Sequence, residues 1–195
     1  EKLTLDSCEM IVIHYESSRR IIKKHFNADP KKIVKFPWYT EVFERKGSKA
    51  SKSKSTKNQY RHPLVVSISR QDPRKGINFI IRAIEIVAKE VPEVNCLIIG
   101  PGSFYKLNKK LSEKLNLQKN VTFPGFIPDL EPVYKEADIA VVVPLRQGSS
   151  SLTIFEAMSY GKAIVASRTD GIPEDLTNNE SALLVKKGDE RAIAR

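Results

Sequence analysis

Residues 146–167 read RQGSSSLTIFEAMSYGKAIVAS. Ser149, Ser150 and Ser151 open an apolar segment, Leu152–Tyr160 has helical character, and Gly161 stops it. Ala163–Ser167 then reads as a short buried-type strand. A helix that starts on hydroxyls and feeds directly into a buried strand is one step of an alternating α/β sheet. One carboxylate, Glu156, stands about one and a half turns into that helix. It reads either as an exposed helical Glu making local pairs or as an acceptor for a pair of hydroxyls, such as a ribose diol.

The same step recurs on both sides of this stretch. Upstream, strands are predicted at 64–69, 95–100, 120–125 and 139–144, and downstream at 181–186. Helices are predicted at 77–91, 105–115 and 130–137, and Ile77, Ile80, Ile81, Ile84, Val87 and Ala88 fall on one face of the first. Strands apolar on both faces and alternating with helices imply a parallel sheet covered on each side. The predicted fold is therefore α/β, a Rossmann-like, doubly wound parallel sheet over residues 63–195. Residues 8–15 read as a strand, 17–26 as a helix, 27–30 as a turn and 33–36 as a second short strand. That piece, within residues 1–45, is too small for a domain and is expected to end a preceding one. The closing residues 188–195 begin a helix, so further chain is expected beyond them.

Residues 46–62 form a basic, flexible loop between the two parts. Lys46, Lys49, Lys52, Lys54, Lys57 and Arg61 account for six of the ten excess charges in a net charge of +10. A Lys/Ser-rich run with little to bury does not offset its ordering entropy. It reads as solvated, or as an electrostatic contact with an anionic membrane or nucleic acid. No aromatic residue precedes Tyr60 in the run, so base stacking has no platform there. Cys8 and Cys96 are isolated and both lie in strand-like runs, which points to two buried reduced thiols rather than a disulfide framework or a metal site. With 41% hydrophobic residues, 29% charged and no apolar run of membrane-spanning length, the composition is that of a soluble globular chain.

Ligands of such sheets bind at the carboxyl ends of the strands. Three loops qualify. In SRQDPRKG, 69–76, Arg70 and Lys75 flank a turn ahead of a helix; they suit a phosphate, or are solvated surface charges. In GPGSF, 100–104, the glycines permit close approach of a ligand or of a neighbouring loop, and Ser103 is placed to cap the next helix. In the opening stretch, the amides and hydroxyls of Ser149–Ser151 suit a helix cap or an anion.

Several blocks in order, SRQDPRKG (69–76), NVTFPGFIPDLEPVYKEADIAVVVP (120–144) and FEAMSYGKAIVASRTDGIPE (155–174), resemble the C-terminal, donor-binding domain of retaining glycosyltransferases of family four, which have the two-domain GT-B fold. CEMIVIHYESSRRIIKKHFNADPKKIVKFPW (8–38) is similar to the end of that family's N-terminal domain and hinge. The resemblance implies that Arg70 and Lys75 hold the donor diphosphate and steady the leaving group. It implies that Ser149, Ser150, Ser151 and Leu152 add helix amides, that Glu156 takes the ribose hydroxyls, and that Phe126 and Ile127 hold the nucleobase largely through main chain. The family's other motif Glu would fall at Gly148, with Gln147 beside it as a substitute, which leaves the transferred sugar open.

The implied activity is transfer of a sugar, with retention, from a nucleotide-diphosphate sugar to a glycan or lipid-linked glycan. It needs no metal or other cofactor, in keeping with a chain that contains no Asp-x-Asp. The acceptor site and catalytic His of the family lie in the missing N-terminal half, so this chain alone is expected not to turn over. His14, His25 and His62 read as structural or exposed. A cytoplasmic location, with peripheral contact to a membrane when the acceptor is a lipid, is the matching expectation; specific nucleic-acid binding is not. The rival readings are a non-catalytic nucleotide-sugar or phosphate-binding module, favoured by Gly148, and a basic nucleic-acid-binding protein, which rests on the net charge alone.

Overall fold

The computed structural model describes residues 2–36, 60–146 and 151–195. The basic run at 46–59 and the candidate site residues Gln147, Gly148, Ser149 and Ser150 lie outside the described residues.

A six-stranded, all-parallel sheet forms the centre. In chain order its elements are β3 (Leu64–Ile68), α3 (Ile77–Glu90), β4 (Asn95–Ile99), α4 (Tyr105–Lys114), β5 (Val121–Gly125), α5 (Glu131–Glu136), β6 (Ile139–Val142), α6 (Leu152–Ser159), β7 (Ala163–Ser167), α7 (Ile172–Asp175), β8 (Leu183–Val185) and α8 (Glu190–Ala194). Before them come α1 (Lys2–Ser7), β1 (Ile11–Ile13), α2 (Glu16–Phe26) and β2 (Ile33–Lys35), with β1 and β2 paired in parallel. The strand order is β5-β4-β3-β6-β7-β8. The chain thus runs outward from β3 to β5, returns across the sheet to β6, and runs outward the other way. That is the doubly wound arrangement expected, and its switch point lies between β3 and β6.

Alternation along each strand sorts the core onto two faces. Leu64 and Val66 of β3 and Leu97 and Ile99 of β4 pack with Val133 and Tyr134 of α5, Ile154 and Ala157 of α6 and Ile172 of α7. Val65 of β3 and Cys96 and Ile98 of β4 pack instead with Ile77, Ile80, Ile81 and Ile84 of α3. Both faces are covered, which is why these strands read as continuous apolar runs rather than alternating ones.

Two local expectations are corrected and a third is narrowed. Only Ile11–Ile13 of residues 8–15 is a strand, so Cys8 lies ahead of it and is half-buried; Cys96 is buried in β4, and neither forms a disulfide. Burial pushes the Cys96 thiol up to about 12, so it stays protonated and inert. Ser103 does not cap α4: the residue ahead of the helix is Phe104, and no side chain caps it. The glycines of the 100–104 loop serve a neighbouring loop. Gln71 N–H donates to the Pro101 carbonyl at 2.8 Å and Phe104 N–H to the Gln71 carbonyl at 2.9 Å. A Cβ at Gly102 would sit 2.3 Å from that same Gln71 oxygen. No helix among the described residues is long and apolar enough to cross a membrane.

Candidate functional site

The carboxyl ends of β3 and β6 diverge into their loops at the switch point, and a small, shallow recess opens there. Ser67, Ile68 and Ser69 line it from the end of β3 and its exit, 141–144 from the end of β6 and its exit, Lys75 from the turn ahead of α3, and Ser151 from the start of α6.

Local sequence explains each wall. Asp72 accepts from the Arg74 N–H at 2.9 Å and opens a short 3-10 turn, Pro73–Lys75, with proline at its first position. Gly76 then takes the left-handed conformation, φ 70°, and releases α3. Burial tends to raise the Asp72 carboxyl, but hydrogen bonds from the Arg74 side chain and backbone outweigh it and hold the group below its ordinary range. The opposite wall is fixed from α6 and β7. Thr153 Oγ1 donates to the Ile68 carbonyl at 3.0 Å, and Ser167 Oγ to the Pro144 carbonyl at 2.7 Å.

The electrostatics of the recess favour an anion. Lys75 is half-buried, and that burial lowers its ammonium below the ordinary Lys value; Asp72 acts against this, while the Arg74 and Arg70 guanidiniums add to it. A cation that is partly desolvated and crowded by others of its sign gains when a negative group arrives. At the start of α6, Ser151 has extended backbone and makes no side-chain cap. The first N–H groups of α6 therefore add partial positive charge on the same side.

Glu156 is exposed on α6, and its Oε2 accepts from the Tyr134 hydroxyl at 2.8 Å. The two residues share a groove with Pro128, Asp129, Leu130 and Tyr160. Ile127, after β5, packs against the core on the α5–α6 face, whereas Phe126 is 74% exposed. Leu152 is exposed as well.

Of the residues singled out from sequence, Lys75 and Ser151 thus meet in one recess, Arg70 stands exposed beside it, and Glu156 lies further along α6. Tyr134, Thr153, Ser167 and the buried Gln71 were not legible as site residues. Only Tyr134 had a usable signal, a phenol in a helix flanked by buried positions, whose hydroxyl needs a partner. His14 Nδ1 pairs with the Phe36 carbonyl and His62 Nδ1 with Asp138, both away from this site. Among the described residues no group of three or more His, Cys, Asp or Glu is placed to hold a metal ion.

Comparison with known proteins adds the family. Residues 48–195 match the family described as Glycosyl transferases group 1. The chain is 25% identical over 197 aligned residues to D-inositol 3-phosphate glycosyltransferase of Corynebacterium glutamicum, covering 95% of this chain and 47% of that protein. It is 29% identical over 139 residues to GDP-mannose-dependent alpha-(1-6)-phosphatidylinositol monomannoside mannosyltransferase of Mycolicibacterium smegmatis, covering 67% of this chain and 36% of the relative. This chain therefore spans less than half the length of either. The crystal structure of Anabaena HepE in complex with UDP-glucose superposes with a TM-score of 0.79 at 18% identity, over 100% of this chain and 56% of that one. The architecture is that of a GT-B half. With a matched segment that includes the whole six-stranded sheet and both walls of its switch-point recess, the chain belongs to the group 1 glycosyltransferases.

Proposed function

We propose that this chain is the C-terminal, donor-binding part of a retaining glycosyltransferase. It would move a sugar from a nucleotide-diphosphate sugar to a glycan or lipid-linked glycan. The observation that carries the reading is the layout of one helix. The start of α6 faces the Lys75 recess through Ser151, and Glu156 stands five residues on, about 7.5 Å along the axis. That spacing matches a diphosphate at one end and a ribose diol of the same nucleotide at the other. The carboxylate would repel phosphate and accept from hydroxyls, so the two ends select different parts of one ligand.

In this reading Lys75 and Arg70 take up the charge that develops on the diphosphate as the glycosidic bond breaks. Because two cations and helix amides occupy that role, transfer needs no divalent ion, and activity is expected to be unchanged by EDTA. The backbone after β5, at Phe126 and Ile127, holds the base. Gln147, Gly148, Ser149 and Ser150, outside the described residues, keep the donor-binding role that the family resemblance implies. A lipid-linked acceptor would bring the protein to the cytoplasmic face of a membrane.

The relatives differ in nucleotide, UDP in the HepE complex and GDP-mannose in the mycobacterial enzyme's name, so the test includes both. Calorimetric titration of the full-length protein with UDP, GDP and ADP should show one of them binding. Lys75→Ala and Glu156→Ala should each weaken it about 10- to 100-fold, the loss of a charge-assisted contact. Unaltered binding in both variants would overturn the site. The second reading, a binding module without turnover, is favoured by Gly148, where the family motif has a carboxylate. It would be established by tight nucleotide-sugar binding with neither transfer nor hydrolysis.

A further inference from the structure

Glu156 sits on an exposed helix face, where a Glu ordinarily samples several rotamers. Here it does not have that freedom. The Tyr134 hydroxyl donates to its Oε2 at 2.8 Å, and Tyr134 itself is 2% exposed. The Tyr134 ring is fixed three ways. Its backbone N–H bonds the Leu130 carbonyl at 2.9 Å, its side chain belongs to the core on the α5–α6 face, and it stacks on Tyr160 at 5.2 Å between centroids and 8° between planes. Tyr160 follows α6 directly, so the stack ties α5 to the same helix that carries Glu156.

The phenol is a one-way donor. Burial, and then the Glu156 carboxylate beside it, push its ionisation far above the ordinary tyrosine value. It stays protonated across the neutral range, and its hydroxyl donates to Glu156. One lone pair of Oε2 is thereby used, and Oε1 remains to accept from a ligand in the groove formed with Pro128, Leu130 and Tyr160.

We propose that Tyr134 is the positioning residue that makes this site select ribonucleoside over 2′-deoxyribonucleoside diphosphates, by holding Glu156 in the one orientation that accepts from both hydroxyls of a vicinal diol. The proposal rests on the reading of Glu156 as the ribose acceptor. A mobile carboxylate meets one hydroxyl nearly as well as two, whereas a preorganised one gains fully only when both are present. Discrimination is then a property of the Tyr134–Glu156 pair, not of the carboxylate alone.

The test is calorimetric titration of the full-length protein with UDP, GDP and their 2′-deoxy counterparts. The wild type should prefer the ribo form of the nucleotide it binds by about tenfold or more, the worth of one charge-assisted hydrogen bond. Tyr134→Phe, which keeps the buried ring and the stack, should bring that ratio within about threefold by weakening the ribo form alone. In a Glu156→Ala background, Tyr134→Phe should change neither affinity. A residue that merely supports the fold would weaken both forms, and would do so in that background too.

The outcomes separate the two readings. If no nucleoside diphosphate binds the wild type, the function proposed above fails and this proposal with it. If the ribo preference survives Glu156→Ala, the carboxylate is not the diol acceptor. If Glu156→Ala removes the preference and Tyr134→Phe retains it, the donor site stands and the positioning role is overturned. Melting curves of both variants, expected within a few degrees of the wild type, exclude unfolding as the cause.

Discussion

Gly76 shows how little latitude single residues have around the recess. It takes φ 70°, and a Cβ there would lie 2.2 Å from the Val143 carbonyl oxygen of β6's exit. A side chain would meet both a disfavoured backbone region and a fixed backbone atom of the facing wall. Gly76→Ala should cost about 2–4 kcal/mol, read as a lower urea midpoint at unchanged slope, and should weaken nucleotide binding through displacement of Lys75. Gln71 is a second such point. It is fully buried, donates to the Gly100 carbonyl at 2.9 Å, and accepts from Asn108 Nδ2 at 2.9 Å. Gln71→Leu fills the space but strands both partners, and should cost about 2–4 kcal/mol in the same assay.

At the scale of elements, the contact between the leading segment and α7 is the informative one. The Glu174 carboxylate accepts from the N–H groups of Glu16 at 2.9 Å and Ser17 at 3.0 Å, and pairs with Lys35 Nζ at 3.1 Å. It therefore caps α2 from a distant part of the chain. Tyr15, just ahead of α2, donates to Asp175 at 2.9 Å and lies against Gly171, where a Cβ would approach its ring to 2.6 Å. Burial tends to raise the Glu174 carboxyl, but the two backbone donors and Lys35 outweigh it and set it below its ordinary 4.5. A carboxyl depressed in the folded state contributes stability that is complete above the ordinary value and is lost as pH falls through the folded one. Glu174→Gln should therefore be about 1 kcal/mol less stable than wild type at neutral pH, the usual worth of a helix cap. The difference should hold down to about pH 5.5 and shrink below 4.5, measured as paired urea midpoints across pH.

At the scale of the whole molecule, strand order sets which parts open first. β3, β4, β6 and β7 are flanked on both sides, whereas β5 and β8 are edges. The leading segment has a small core of its own, Ile11, Ile13, Ala28 and Ile33, and is held to the sheet through α7. Native-state hydrogen exchange should show amides of β1 and β2 opening well below the free energy for β3 and β6, with β8 between. If the proposed site is right, saturating nucleoside diphosphate should raise protection at β3, β6 and α6 and leave β1 and β2 unchanged.

Much of the architecture followed from short-range chemistry. Ile77–Ile84 had one apolar face and formed α3; the buried runs at β3, β4, β6 and β7 came within two residues of their observed ends. These elements were legible because period and burial agree along a continuous stretch. Residues 8–15 were less legible: a run with apolar residues at both ends shortened to Ile11–Ile13, since among the described residues one strand, β2, pairs with it. α1 and α7 carried no periodic signal, at six and four residues.

For the candidate site, sequence alone offered the cations, the serines and Glu156 as candidates, because loop chemistry after a strand is local. It also determined the alternation of strands and helices, hence a parallel sheet wound on both faces. Only the tertiary structure decided that β3 and β6 are neighbours, which puts Lys75 and Ser151 in one recess. It alone decided that the 100–104 loop packs against Gln71, that Glu174 caps α2, and that Tyr134 holds Glu156. Each of these joins residues distant in the chain through a hydrogen bond or a shared cavity. Such partners are chosen by strand order and packing, which no local pattern of residue types encodes.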